Sequence, residues 1–167
     1  TYGKIKRHTP EPLKTPKENN NALPPKKTKP KPTSVLGPTY LLIDGYNIIF
    51  AWDELRKVAD ESIDLARTLL IDKVCNYQAM RQNNVIVVFD AYKVKGGVRE
   101  IEKIHGISVV YTKEAETADS YIEKTATELS KNYRVRVATS DAQIQMIIFG
   151  SGAARVTPSE LLDEINA

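Results

Sequence analysis

The sequence predicts an α/β fold of three layers: a central parallel sheet of about five strands, helices on both faces, and a basic N-terminal arm outside it. Three observations predict it. From Tyr40 onward, short β-branched runs alternate with stretches of helical periodicity. The strand-like runs are apolar nearly throughout, as parallel strands covered on both faces are. The first 38 residues have too few apolar side chains to join such a core.

Residues 1–38 hold nine Lys/Arg against two acids, Glu11 and Glu18, a charge of +7. The remaining fifteen cations and nineteen acids leave residues 39–167 at −4. Eight of the nine prolines also fall in the arm, concentrated in "LPPKKTKPKP". Proline lacks a backbone donor and resists helix and sheet interiors. The expectation is an extended, polyproline-like, disordered arm over 1–38 and a folded domain over 39–167. The arm's charge suits a solubilising linker or an electrostatic tether to nucleic acid.

The strand signals lie at 40–43 (YLLI), 85–89 (VIVVF), 107–111 (ISVVY), 134–138 (RVRVA) and, weakly, 154–156 (ARV). Between the first two, Ile63, Ala66, Leu70, Val74 and Tyr77 recur every three or four residues, one face of a helix over 63–80. Ile122, Ala126 and Leu129 mark a second helix over 117–130. "TPSE" at 157–160 starts a third: Thr157 caps, Pro158 takes the first position, and Glu160 closes a capping box. Trp52, in "IIFAWDEL", is expected to pack a short helix near the site, and His105–Gly106 to end another.

No apolar run approaches the roughly 20 residues that cross a bilayer, and the polar, proline-rich start has no signal-peptide pattern. With Cys75 as its one cysteine, the chain forms no internal disulfide, and a cytoplasmic location is expected. Cys75 itself reads as a small core residue on a helix. Because the chain begins at Thr1, we expect a processed form or the C-terminal part of something longer.

The chemistry-bearing signal is a set of acids placed alike. Asp44 ends the first strand run, Asp90 ends the second, and Asp141 follows the fourth in "VATSDAQ". Asp119 lies just inside the helix after the third. In an open parallel sheet the carboxyl ends of the strands share one edge, where ligands bind. Crowded carboxylates raise one another's pKa unless a cation neutralises them. The fitting cation is hard and divalent, Mg²⁺ or Mn²⁺, held by oxygen ligands. Such an ion activates water and stabilises charge on a phosphoryl oxygen. An aspartate after a strand is also a common helix N-cap, and Asp119 and Asp141 each fit that reading, with Thr117 or Ser140 as alternative caps.

Other carboxylate and phosphate chemistries fit poorly. A receiver domain needs paired acids after the first strand and a lysine after the fifth. A haloacid-dehalogenase-type phosphatase needs Asp-x-Asp where "DGY" stands. No Gly-rich loop with Lys-Ser/Thr is present, Gly96–Gly97 is isolated, and His8 and His105 lie far from any partner motif. Asn47 and Ser140 are placed to orient a carboxylate or a water, and Glu116 is a candidate fifth acid. Around the expected crevice, Tyr46, Tyr92, Lys93, Lys95 and Arg99 offer base stacking and phosphate pairing for a single strand.

Taken together, "LLIDGYNII", "VVFDAYKVKGG", "VVYTKEAETADSYIE", "VATSDAQIQ" and "GAARVTPSEL" resemble the YacP-like branch of the NYN domains, in order over about residues 40–166. The resemblance implies a PIN-like fold and a metal-dependent endoribonuclease. It places the family's acidic site on Asp44, Asp90, Asp119 and Asp141, with Asn47 and Ser140 beside them, so no motif acid is missing. It further implies mRNA as substrate, in association with the ribosome, and, in some relatives, fusion behind a translation-factor-like GTPase. The alternatives are a non-catalytic RNA- or ribosome-binding adaptor that kept the fold, and a phosphate-ester hydrolase acting on a small molecule.

Overall fold

The computed structural model describes residues 39–91 and 100–167. The expectations for the arm, and those for Tyr92, Lys93, Lys95 and Arg99, lie outside these residues. In chain order the elements are β1 (Tyr40–Asp44), α1 (Gly45–Ala51), α2 (Asp53–Glu61), α3 (Ile63–Arg81) and β2 (Asn84–Phe89). There follow β3 (Glu100–Ile104), β4 (Ile107–Tyr111), α4 (Ala118–Leu129), β5 (Val135–Ala138), α5 (Ala142–Ser151), β6 (Ala154–Val156) and α6 (Pro158–Asn166).

The sheet has six strands in the order β3-β4-β2-β1-β5-β6. All neighbours run parallel except β3, which pairs antiparallel with β4. The expected five strands are thus all present, and β3 is one more. Its sequence, Glu-Ile-Glu-Lys-Ile, is rich in residues of low β-propensity, so it carries little strand signal. Those charges suit an edge, where they discourage pairing with another sheet. The expectation that His105–Gly106 ends a helix is corrected here. His105 (φ 46°) and Gly106 (φ 94°) form the two-residue turn of the β3–β4 hairpin, and positive φ at both turn positions matches the twist of a tight hairpin.

Side chains of β1 alternate between the two faces, and both are covered: Leu41, Leu42 and Ile43 are all fully buried. On one face Leu41, Ile43, Val87 and Phe89 pack with Ile48, Leu55, Leu70, Val74 and Leu161 of α1, α2, α3 and α6. On the other, Leu42, Val88 and Val137 pack with Ile122, Ala126, Ile144 and Ile148 of α4 and α5. The helix faces are those that the periodicity predicts: Ala66, Leu70, Val74 and Tyr77 on α3, Ile122 and Ala126 on α4. The α6 capping box is also formed, with Pro158 in the first turn.

Two polar contacts tie α6 to the rest. The buried Trp52 Nε1 donates to the Pro158 carbonyl at 2.8 Å, so Trp52 anchors the start of α6. At its other end Glu164 accepts from the Arg136 guanidinium on β5 and from the Tyr77 hydroxyl on α3, the latter at 3.0 Å. Hydrogen bonds from Arg136 hold the Glu164 carboxyl below its usual range, against a smaller rise from burial. Replacing Glu164 by Ala leaves Arg136 and Tyr77 without that acceptor. The expected cost is about 1–2 kcal/mol at neutral pH, given the partial exposure of both charges. Because the Glu164 pKa is depressed on folding, the wild-type advantage fades as pH falls through its folded-state pKa. Urea denaturation at neutral and acid pH checks this; equal stability of the two proteins at neutral pH would refute the role.

Candidate active site

The chain enters the sheet at β1, builds outward through β2 to β4, then returns through α4 to β5 on the other side of β1. From its carboxyl end β1 leads into α1 on one face, while β5 leads into α5 on the opposite face. The connections therefore part between β1 and β5, which opens a crevice at the carboxyl edge of the sheet. Asp44 and Asp141 lie on its two sides. Asp90, directly after β2, and Asp119, in the first turn of α4, complete the rim.

Asp44 is the outlier of the four. It is only 7% exposed, and it stands at the N-cap of α1 without a side-chain cap bond. Burial first, then the charges of Asp119 and Asp90 and a hydrogen bond with Asp119, push its pKa up to about 7. The Asn47 backbone N–H offsets part of that rise. Asp119 is raised too, by desolvation first and then by the charge of Asp141. Asp44 and Asp119 thus act on each other, and both carboxyls are held above the usual carboxylate range. A bound cation would relieve both the desolvation and the mutual repulsion.

The other two acids have local duties. Asp90 Oδ1 accepts from the Ala118 N–H at 2.6 Å, which fastens the start of α4 and hence Asp119. Asp141 caps α5 by accepting from the Gln143 N–H at 2.9 Å. For α4 the cap is Thr117, leaving Asp119 in the first turn. Among the described residues, no group of three or more His, Cys, Asp or Glu side chains is arranged to hold a metal ion. Asp44 feels the charges of Asp119 and Asp90, and Asp119 those of Asp141 and Asp90. Their chemistry still fits a hard cation: all four are oxygen donors, and two are held above their ordinary pKa by burial and neighbouring negative charge.

Backbone bonds fix the loops that present these groups. The Asn47 Oδ1 accepts from the Ser140 N–H at 2.6 Å, bridging α1 and the β5–α5 loop. Ser140 is thus held by its main chain, and the residue is exposed. Two fully buried threonines, each one residue past a strand, act likewise. Thr112 Oγ1 accepts from Ala91 N–H and donates to the Glu116 carbonyl. Thr139 Oγ1 accepts from Asp141 N–H. Both are legible in the sequence as polar residues directly after apolar strand runs. Glu116, the candidate fifth acid, pairs with Lys124 at 3.7 Å.

Tyr46 corrects an expectation. The residue is 5% exposed, and its ring packs on Phe89 with centroids 4.9 Å apart, while its hydroxyl accepts from Arg67 Nη1 at 3.0 Å. A ring in the core cannot serve as a stacking platform for a base. The same packing explains Gly45: a Cβ there would overlap the Phe89 ring. Only the absence of a side chain lets β2 end this close to the start of α1, and so Asp90 near Asp44. Arg67 carries no signal in the sequence, since one arginine on an amphipathic helix looks like any solvated charge.

Comparisons with known proteins agree with this architecture. The family model described as YacP-like NYN domain matches residues 41–167. The "Uncharacterized protein YacP" of Bacillus subtilis (strain 168) is 47% identical over 126 residues, 75% of this chain and 74% of that one. The crystal structure of Rae1 (YacP) from Bacillus subtilis matches with a TM-score of 0.66 at 46% identity, covering 76% of this chain and 73% of that one. The crystal structure of a mutant form of Rae1 gives the same TM-score, 0.66, at 43% identity, over 77% of this chain and 75% of that one.

The geometry makes two stability measurements informative. Asp44 has a folded-state pKa above its unfolded one, so between about pH 4 and pH 7 the native state binds more protons than the unfolded chain. In EDTA, its contribution to stability therefore falls as pH rises through that window. Asp44→Asn needs no proton; it should flatten that slope and stabilise the metal-free protein above neutral pH, by on the order of a few kcal/mol. Denaturation profiles of the two proteins that run parallel would contradict the burial argument. Gly45→Ala should cost about 1–3 kcal/mol through overpacking, with partial recovery in Gly45→Ala/Phe89→Leu. A double variant no more stable than the single one would count against the contact.

Proposed function

Because this chain belongs to the YacP-like NYN domain family, a nuclease-like (PIN-like) domain, we propose that it is a metal-dependent endoribonuclease that hydrolyses RNA phosphodiesters. The observation that carries the reading is Asp44, a buried carboxyl at the end of the central strand, set against the charges of Asp119 and Asp90. Folding a chain around such a repulsive arrangement is costly unless a cation uses it. Asp44, Asp90, Asp119 and Asp141 would hold Mg²⁺ or Mn²⁺. When bound, such an ion supplies charge for the phosphoryl oxygens and acidifies water.

The protein's own groups do the positioning. Asp90, through Ala118 N–H, sets where α4 begins and so where Asp119 stands. Asn47 holds the Ser140 N–H, which keeps the β5–α5 loop and Asp141 at the rim. Buried threonines stiffen both loops, so little reorganisation remains when a strand docks. We propose mRNA at the ribosome as the physiological setting and the cytoplasm as its compartment. Among the described residues no helix is long and apolar enough to cross a membrane.

A labelled single-stranded RNA tests the reading. Internal cleavage should appear with Mn²⁺, disappear with EDTA, and drop by about 100-fold or more in Asp44→Asn, since even residues behind the ligands of a metal cost about 10–100-fold. Cleavage indifferent to both EDTA and the substitution would refute it. RNA binding without metal-dependent turnover would point instead to the adaptor.

A further inference from the structure

The acid-lined crevice presents a problem for its proposed substrate. Residues 39–167 carry −4 overall, and a phosphate arriving beside four carboxylates needs a fixed positive charge nearby. Such a charge is built into α3. The Arg67 side chain is 14% exposed and donates from Nη1 to the Tyr46 hydroxyl. Its Nη2 pairs with Asp64, whose side chain is 79% exposed. The rings of Tyr46 and Tyr111 both pack on Phe89, the residue immediately before Asp90, and Tyr111 also engages Arg67. The Tyr46 hydroxyl senses the charge of Asp90. Because α3 leads into β2, it runs against the strands, and its first turns lie at the carboxyl edge with the acids.

Arg67 thus has two unlike sets of partners. On its inner side two tyrosines, themselves fixed by Phe89, aim the guanidinium. On its outer side stands one solvent-exposed carboxylate three residues away, a pairing that contributes little in water. A guanidinium matches phosphate in shape and bidentate geometry as well as it matches a carboxylate. Resting on the nuclease reading above, we propose that Arg67 binds a backbone phosphate of the RNA strand beside the scissile bond, and that the Asp64 carboxylate occupies the phosphate's place until RNA docks. Tyr46 is then the positioning residue for Arg67, and Asp64 a built-in competitor.

The competitor makes the assignment testable apart from folding. Binding of full-length protein to fluorescent single-stranded RNA is read by anisotropy in EDTA, and cleavage with Mn²⁺. Arg67→Gln should weaken binding about tenfold, reduce the slope of log K against log salt by about 0.7, the share of one phosphate on a single strand, and raise KM more than it lowers kcat. Arg67→Lys should recover part of the loss. Asp64→Asn should bind RNA about threefold tighter than Asp60→Asn, an equal charge change at an exposed residue of α2. That gain should vanish when Arg67→Gln is added. If Asp64→Asn binds no tighter than Asp60→Asn, or its gain survives Arg67→Gln, the assignment is overturned while metal-dependent cleavage by the wild type stands. A wild type that neither binds nor cuts RNA overturns the nuclease reading together with this one.

Discussion

The rest of the site depends on one unfavourable burial. Asp44 ends the central strand with β2 on one side and β5 on the other, and almost no water reaches it. A carboxyl there keeps its charge only if something positive offsets the desolvation; otherwise it keeps a proton. Burial and the charges of Asp119 from α4 and of Asp90 raise its pKa to about 7. The interaction with Asp119 joins the strand to a helix on the far side of a crossover, so the ionisation of one residue and the placement of an element are the same problem.

Around that centre the chain uses its polar groups to hold backbone rather than for display. Asp90 fastens the first N–H of α4, Asp141 caps α5, Asn47 grips the Ser140 N–H, and Thr112 and Thr139 brace the loops behind them. Each bond ends on a main-chain N–H just past a strand or at the start of a helix. The buried threonines are costly to leave unpaired, and the half-buried Asp90, Asn47 and Asp141 add further bonds at the loop ends. The carboxyls inherit the rigidity of the sheet through these junctions.

A second layer lies under the first. Phe89 sits against Gly45 and between Tyr46 and Tyr111, whose hydroxyls meet the Arg67 guanidinium. The "DGY" that spans the end of β1 therefore fills three roles in three residues: a carboxyl at the crevice, a gap for a ring, and a tyrosine that turns inward to a cation. Arg67 and the acids thus lie at the same edge of the sheet.

The sequence by itself determined the layers and the address of the acids. Strand runs apolar on both faces, helices with one buried stripe, and the Thr157–Glu160 box are local patterns, and local patterns survive any tertiary arrangement. Placing Asp44, Asp90 and Asp141 at one edge needed only parallel strands, since parallel strands end together. Tertiary structure decided what periodicity cannot carry. The edge strand β3 is charged and short, so only its pairing with β4 makes it a strand. Tyr46 faces the core because Phe89 from another strand covers it, and nothing in "DGYN" says which way the ring turns. Whether an aspartate after a strand caps the next helix is settled only by the fold: Asp141 caps α5 through Gln143 N–H, while Asp44 makes no cap bond and lies against the charge of Asp119. Arg67 gains its meaning only from Tyr46 and Tyr111, which stand far from it along the chain on either side, a separation that folding closes and sequence does not reveal.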